Sequence, residues 1–400
     1  MKTTPPSRYD YYHRAIGGQR LPAAFVDLDV LDANLERLRR RAGALPIRLA
    51  SKSIRSVAIL RRLLSAGPVL RGVLCYSLAE AAWLAGQGFD DLVVAYPSVG
   101  RDELAAVARR IAEGRSITLM VDCPAQLAPI DAAGAASGVV MPVAIDLDLS
   151  SNFPGLRFGV YRSPITNAKG ALALARAIDG HRNLGLDGLM GYESQIAGLA
   201  DDIPGQWLKN HIVRLLKRRS IREVRARRTS VVSALKKAGY PLRFVNGGGT
   251  GSLESTREDP SVTELAAGSG LYQPTLFDHY DAFCAEPAAG FALPVTRIPA
   301  AGIVTCIGGG YTASGPIDSR RLPSPWLPEG CDLFANEGAG EVQTPVRMPA
   351  GVQIGIGDPL FFRHAKAGEL CERFNELLLI QSGRVVDRVT TYRGDGKCFF

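Results

Sequence analysis

Two stretches of this chain carry residue types that could do chemistry together. One is Ser51-Lys52-Ser53, which follows the strand candidate 47–50. The other is FVNGGGTGS, Phe244 to Ser252, where an apolar run stops at a glycine-rich turn. Glycine has no Cβ, so such a turn can bring several backbone N–H groups and two hydroxyls against one anion. The turn is neither GxxxxGK(S/T) nor GxGxxG and does not read as an ATP or dinucleotide loop. A lysine that loses hydration favours its neutral amine, a nucleophile suited to an aldehyde. The other reading of Lys52 is an ion pair with Asp146, Asp148 or Glu193.

Both stretches need elements to hold them. Strands are expected at 24–28, 47–50, 72–76, 91–96, 117–121, 141–147, 186–191 and 242–245. Amphipathic helical stretches lie between them, such as 31–41, 56–66, 79–86, 101–113, 165–178 and 207–238. Alternating strand and helix gives parallel strands. Eight strands predict an α/β fold with a closed (β/α)8 TIM-like barrel, residues 1–285. After about residue 285 short apolar runs are separated by Gly and Pro, as in SPWLPEG and MPAG. Residues 286–400 read as a second, mostly β domain whose last segment folds back on the barrel.

Bulk properties narrow the classes. The chain has 400 residues, 46% hydrophobic and 22% charged, enough for a large core. No run reaches membrane-span length, and MKTTPPSRYDYYHR lacks a signal-peptide core, so no membrane association is expected. The 7 cysteines are scattered and without CxxC, which fits a reducing cytoplasm. The net charge of +8 owes much to one stretch, Lys209 to Lys237. Without interleaved aromatics it reads as a solvated helix face rather than a nucleic-acid patch.

Barrel chemistry sits at the C-terminal ends of the strands. Lys52 would stand after the second strand and Asp146, Asp148 and Arg157 after the sixth. Tyr192 and Gln195 would follow the seventh, and the glycine turn the eighth. A lysine and a phosphate loop on one rim point to pyridoxal phosphate, which carries both an aldehyde and a phosphate. Arg157 cannot shed its charge and needs an anion, either the cofactor's phenolate or Asp146 or Asp148. Tyr192 could stack on a cofactor ring or fill the core. Gln195 could bind substrate or serve the loop.

Together these residues resemble the fold-type III pyridoxal-phosphate enzymes, in particular the D-threonine aldolase and D-serine dehydratase-like branch, with alanine racemase more distant. The resemblance spans roughly residues 20 to 395. It rests on LPAAFVDLDVLDANLERLR, IRLASKSIRS, the segment from Asp146 to Gly159, GLMGYESQ, VNGGGTGS, ELAAGSGLYQ and EGAGEVQTP. It implies that Lys52 is the Schiff-base lysine and that Gly248, Gly249 and Thr250 cradle the phosphate. It places Arg157 near the phenolic oxygen, Tyr192 as an active-site aromatic and Tyr272 near the pyridine end. It also implies a homodimer. The branch carries a C-terminal metal pair, H-x-D or H-x-C. Here His364 matches, but Lys366 stands at the second position, and a protonated lysine is no ligand. His364 and Cys371 remain as candidate ligands of a divalent metal.

The function implied is a lyase, aldolase or dehydratase (deaminase), acting on a D-configured or unusual β-hydroxy amino acid. His364 is the catalytic group at the β-hydroxyl, with Gln195 and Lys366 binding substrate. The alternatives are a racemase or epimerase on the same scaffold, a non-catalytic pyridoxal-phosphate carrier, and a barrel enzyme for a phosphorylated substrate.

Overall fold

The computed structural model describes residues 7–399. The first strand, β1 (Ala23–Asp27), lies outside the barrel. Five strands follow: β2 (Ile47–Ala50), β3 (Leu70–Cys75), β4 (Leu92–Val94), β5 (Ile117–Val121) and β6 (Met141–Asp146). After a hairpin of β7 (Ser151–Phe153) and β8 (Leu156–Phe158) come β9 (Leu184–Gly191), β10 (Phe244–Gly247) and β11 (Glu264–Ala267). The closed barrel runs β2-β3-β4-β5-β6-β9-β10-β11. β2 and β5 are buried along their whole length, which is why they read as mostly apolar runs broken only by Arg48 and Thr118. Side-chain caps start the intervening helices: Asn167 accepts from Gly170 N–H at 3.0 Å and Ser77 from Glu80 N–H at 3.1 Å.

A polar plug closes the N-terminal end of the barrel. Arg48 of β2 is 1% exposed and reaches Glu264 of β11 at 2.7 Å and Asp91 at 3.2 Å. Arg243 binds Asp187 at 2.7 Å and Asp91 at 2.8 Å. These pairs tie first strand to last at the face of a barrel that serves stability.

The expected first barrel strand is therefore corrected. β1 sits in the second sheet, antiparallel to β12 (Ala289–Ala300) and parallel to a later strand at 376–381. The remaining strands are β13 (Ile303–Ile307), β14 (Ser324–Leu327), β15 (Asp332–Leu333), β16 (Gln343–Arg347), β17 (Pro359–Arg363), β18 (Glu376–Gln381) and β19 (Arg384–Thr390). Apolar patterning signals that a strand is buried but not which sheet it joins. The barrel is closed instead by β11, four residues led by a glutamate, which pairs with β10 and β2. The glycine turn thus follows the seventh barrel strand. The chain end returns to the barrel, where Tyr392 N–H donates to Arg55 O at 2.9 Å and Ser56 Oγ to Thr390 O at 2.8 Å.

The basic stretch forms one helix, Trp207–Lys237. It is not wholly a solvated face: Lys217 and Arg228 are buried, paired with Asp201 and with Glu193 and Asp259. Among the described residues no helix is long and apolar enough to cross a membrane.

Candidate active site

A single 3-10 turn, Ser51–Ser53, follows β2 and carries Lys52 onto the C-terminal rim. Ser51 Oγ fixes that turn by donating to Leu74 O at 3.1 Å. The Lys52 side chain is exposed, not desolvated, because the turn lifts it clear of the packed strand layers. Its Nζ donates to the Tyr96 hydroxyl at 2.9 Å. Of the carboxylates expected as its alternative partners, Asp148 pairs with Arg157 and Glu193 with Arg228, and among the described residues no ion pair joins Asp146 to Lys52. Burial raises the pKa of Tyr96, but the charge and hydrogen bond of Lys52 and the charge of Arg162 outweigh it and bring the phenol below its ordinary value. Arg162 lies over both Tyr96 (5.7 Å) and Tyr192 (5.4 Å). Nearby Asp146 is pushed up to about 7, first by burial and then by Asp122.

The glycine turn abuts this row. Gly248 has φ +84°, the left-handed region, and its N–H donates to Glu193 Oε2 at 3.1 Å. Gly249 N–H donates to Ser252 Oγ at 3.2 Å, and Thr250 Oγ1 accepts from Gly270 N–H at 3.1 Å. A Cβ at Gly249 would stand 2.9 Å from Ala197 Cβ and 3.1 Å from Tyr192 Cε2. One at Gly251 would meet Ala197 O at 2.3 Å. The loop is pressed so closely on its neighbours that only glycine fits. Lys52, Tyr96, Arg162, Tyr192 and Gly249 therefore form a contiguous row along the rim.

The β domain supplies the facing wall. A cavity of about 650 Å³ is lined by Lys52, Tyr96, Ser314, His364, Lys366 and Glu369, among others. His364, just after β17, is 4% exposed, and its Nε2 lies 2.7 Å from Ala367 O. Burial lowers its pKa to about 4, so the ring is neutral near pH 7. A carbonyl can only accept, which puts the proton on Nε2 and a lone pair on Nδ1. Nδ1 is buried and, among the described residues, without a hydrogen-bond partner. Lys366 Nζ donates to Ser314 Oγ at 2.5 Å and lies 3.6 Å from Glu369.

Other expected residues are placed differently. Arg157, on the β7–β8 hairpin, pairs with Asp148, donates from Nη2 to Val160 O at 2.9 Å and lies over Tyr161 at 4.5 Å. Tyr272 is fully buried; its hydroxyl donates to Ile54 O at 3.2 Å and its ring meets His364 edge-on at 6.5 Å. Gln195 Nε2 donates to Leu149 O at 2.8 Å, leaving a buried, unpartnered Oε1. Cys371 Sγ donates to Ile54 O at 3.3 Å, and burial pushes its thiol up to about 12. A neutral thiol and an ammonium make a poor donor set, so these residues do not fit a divalent metal. Among the described residues no cluster of three or more His, Cys, Asp or Glu is disposed to hold one.

Sequence reasoning passed over Tyr96, Arg162 and Ser314. Tyr96 was within reach, since it ends an expected strand at the rim. Arg162 lies on a loop and Ser314 in the β domain, and neither has a motif to mark it.

The residues present do fit pyridoxal phosphate. The Lys52 amine lines the cavity with Tyr96 as its hydrogen-bond partner, a glycine loop lies along the same rim, and among the described residues the buried Oε1 of Gln195 and Nδ1 of His364 lack partners. A closed parallel barrel with a lysine and a glycine loop on its C-terminal rim places the chain among the (β/α)8 barrel folds. The family model of the alanine racemase N-terminal domain matches residues 26–275, and the chain belongs to that family, one of fold-type III pyridoxal-phosphate enzymes. The chain is 26% identical over 250 residues to a 3-hydroxy-D-aspartate aldolase of Paracoccus denitrificans (strain Pd 1222), covering 62% of this chain and 59% of that protein. It is 27% identical over 271 residues to a D-threo-3-hydroxyaspartate dehydratase of Delftia sp. (strain HT23), covering 67% of this chain and 65% of that one. The matches thus span under two thirds of these relatives' length. In fold, the chain superimposes on the crystal structure of D-threonine aldolase from Filomicrobium marinum with a TM-score of 0.79 at 20% identity, covering 95% of this chain and 96% of that one.

Proposed function

We propose that this protein is a pyridoxal-phosphate lyase, an aldolase or dehydratase, acting on a D-configured β-hydroxy amino acid. The observation that carries this reading is that one cavity holds both Lys52 and His364, the latter with an unpartnered Nδ1 lone pair. The similarity to an aldolase and a dehydratase named for 3-hydroxyaspartate supports it. Lys52 would hold the cofactor, Gly248, Gly249 and Thr250 its phosphate, and Tyr192 its ring face. Arg157 and Tyr272 are proposed for its phenolic and pyridine ends, and Gln195 for the substrate. When bound, pyridoxal phosphate supplies an electron sink for the bond that breaks at the amino acid's Cα.

The chain's own residues direct the outcome. For the aldolase outcome, His364, neutral at working pH, accepts a proton at Nδ1 from the substrate's β-hydroxyl; for the dehydratase outcome the departing hydroxyl must instead gain a proton. Lys366, steered by Ser314 and Glu369, offers a fixed positive charge beside that hydroxyl or a substrate carboxylate. That charge stands at the second position of the metal pair that the branch resemblance implies. Residues up to 285, apart from the segment through β1, are proposed as the barrel unit, and residues 286–400 with β1 as the β unit, of a cytoplasmic homodimer.

The test is incubation of the cofactor-loaded protein with single enantiomers of β-hydroxy amino acids in deuterated water. Release of an aldehyde, or of ammonia with a keto acid, is expected from the D-enantiomers. Deuterium at Cα of a racemised product, with neither release, would replace the lyase with the racemase.

A further inference from the structure

Nothing above gives Tyr96 a chemical task, yet it is the hydrogen-bond partner of Lys52. We propose that Tyr96 is a catalytic residue that exchanges a proton with Lys52, setting the charge of the amine that meets the cofactor or the substrate. The inference rests on the pyridoxal-phosphate reading and deepens it.

The geometry is direct. Lys52 Nζ and Tyr96 Oη are 2.9 Å apart, and Nζ stands 5.5 Å from the centre of the tyrosine ring. Tyr96 sits just past β4, so it is held by the barrel scaffold rather than by a mobile loop. Its hydroxyl opens on the cavity that Lys52 and His364 share. An ammonium has no lone pair, so an amine must be free of its extra proton before it can attack an aldehyde. Some group must take its proton, and the phenol oxygen is in place. The transfer is balanced within the pair. A phenolate oxygen takes one proton from the Nζ ammonium, giving a neutral phenol and a neutral amine whose electron pair is free. The phenol gives its own proton to solvent beforehand, the reverse transfer restores the charge on Nζ, and water is the only other reactant needed.

The surroundings favour a phenolate at this one tyrosine. Lys52 and Arg162 are cations beside it, Asp146 opposes them, and Tyr192 is the other titratable group against it. Burial resists ionisation, but the two cations prevail. Tyr76, Tyr192, Tyr272 and Tyr280 are all pushed the other way by burial. Tyr96 should therefore ionise ahead of them. Arg162 is a positioning residue in this scheme, acting on Lys52 only through the phenol.

Two measurements test this. In the first, the cofactor-free protein is titrated with base while tyrosinate absorbance is followed. One tyrosine should ionise early. Tyr96→Phe should remove that step, and Arg162→Gln should move it to higher pH. In the second, pyridoxal phosphate is mixed with the protein at neutral pH and the Lys52-dependent visible band is timed. Tyr96→Phe should slow its appearance by about 100-fold, the low end of what positioned proton transfer contributes, and shift the rate profile to higher pH. A band that forms in Tyr96→Phe at the wild-type rate and pH profile, or an early tyrosinate step that survives the substitution, would overturn the inference and leave the cofactor reading standing. Failure of the wild type to form any Lys52-dependent band would remove the cofactor reading, and the catalytic role of Tyr96 with it.

Discussion

Arg228→Met tests how the basic helix supports the glycine loop. Arg228 is 1% exposed; it reaches Glu193 at 3.0 Å, Asp259 at 2.8 Å and Gly191 O at 3.1 Å. It fits there because the strands it crosses carry glycine: a Cβ at Gly247 would stand 3.1 Å from its Nη2. Methionine roughly conserves its volume and deletes its charge, leaving two buried carboxylates without a cation. Breaking such a pair costs about 3–5 kcal/mol. The lower end applies, because both carboxylates keep other donors. Glu193 still accepts from Gly248 N–H and Thr256 Oγ1, and Asp259 from Ser261 Oγ at 2.6 Å. The expected loss is about 3 kcal/mol, read by urea unfolding, or roughly 3–4 °C in Tm for a chain of this length. Because Gly248 hangs on Glu193, affinity for pyridoxal phosphate should fall as well. Glu193→Gln placed with Arg228→Met should recover part of the loss, as a double-mutant cycle. A loss under about 1 kcal/mol with no coupling to Glu193 would refute the reasoning.

Glu80 is fully buried, and its pKa is raised to about 7, chiefly by burial. A raised carboxyl stabilises the fold fully below its unfolded value and loses that contribution as pH rises through 7. Glu80→Gln should therefore make the protein more stable at pH 8 relative to pH 5 by about 2 kcal/mol, measured by urea unfolding at each pH. Gly251→Ala places a Cβ 2.3 Å from Ala197 O and should lower stability by about 1–3 kcal/mol with a matching drop in cofactor affinity, read by fluorescence titration. Lys366→Met should raise KM for a β-hydroxy amino acid about tenfold or more, while a chelator leaves wild-type turnover unchanged; loss of turnover on chelation would return a metal to the site.

Much of the barrel was legible because its strands are buried on both faces and its helices keep their period. Ile47–Ala50 and Ile117–Val121 are such strands. The membership of Ala23–Asp27 was not legible, since its partners lie more than 260 residues away in β12 and 350 in β18. The strand Glu264–Ala267 was hidden by its length and its glutamate, which is buried only because Arg48 and Asn246 bind it. The glycine loop and Lys52 could be placed on one rim from strand order alone. Partners could not: Tyr96 for Lys52, Ser314 for Lys366 and Arg228 for Glu193 come from distant elements. The charge run around Arg228 looked uniform in sequence, yet helix geometry sends Lys217 and Arg228 inward and leaves their neighbours in water.

Borohydride reduction of the cofactor-loaded protein, followed by peptide mass mapping, tests the central assignment most directly. The pyridoxyl group is predicted on the peptide that contains Lys52, and Lys52→Ala should abolish both it and the visible band. A pyridoxyl group on another lysine, or on none, would contradict the placement of the cofactor on this rim.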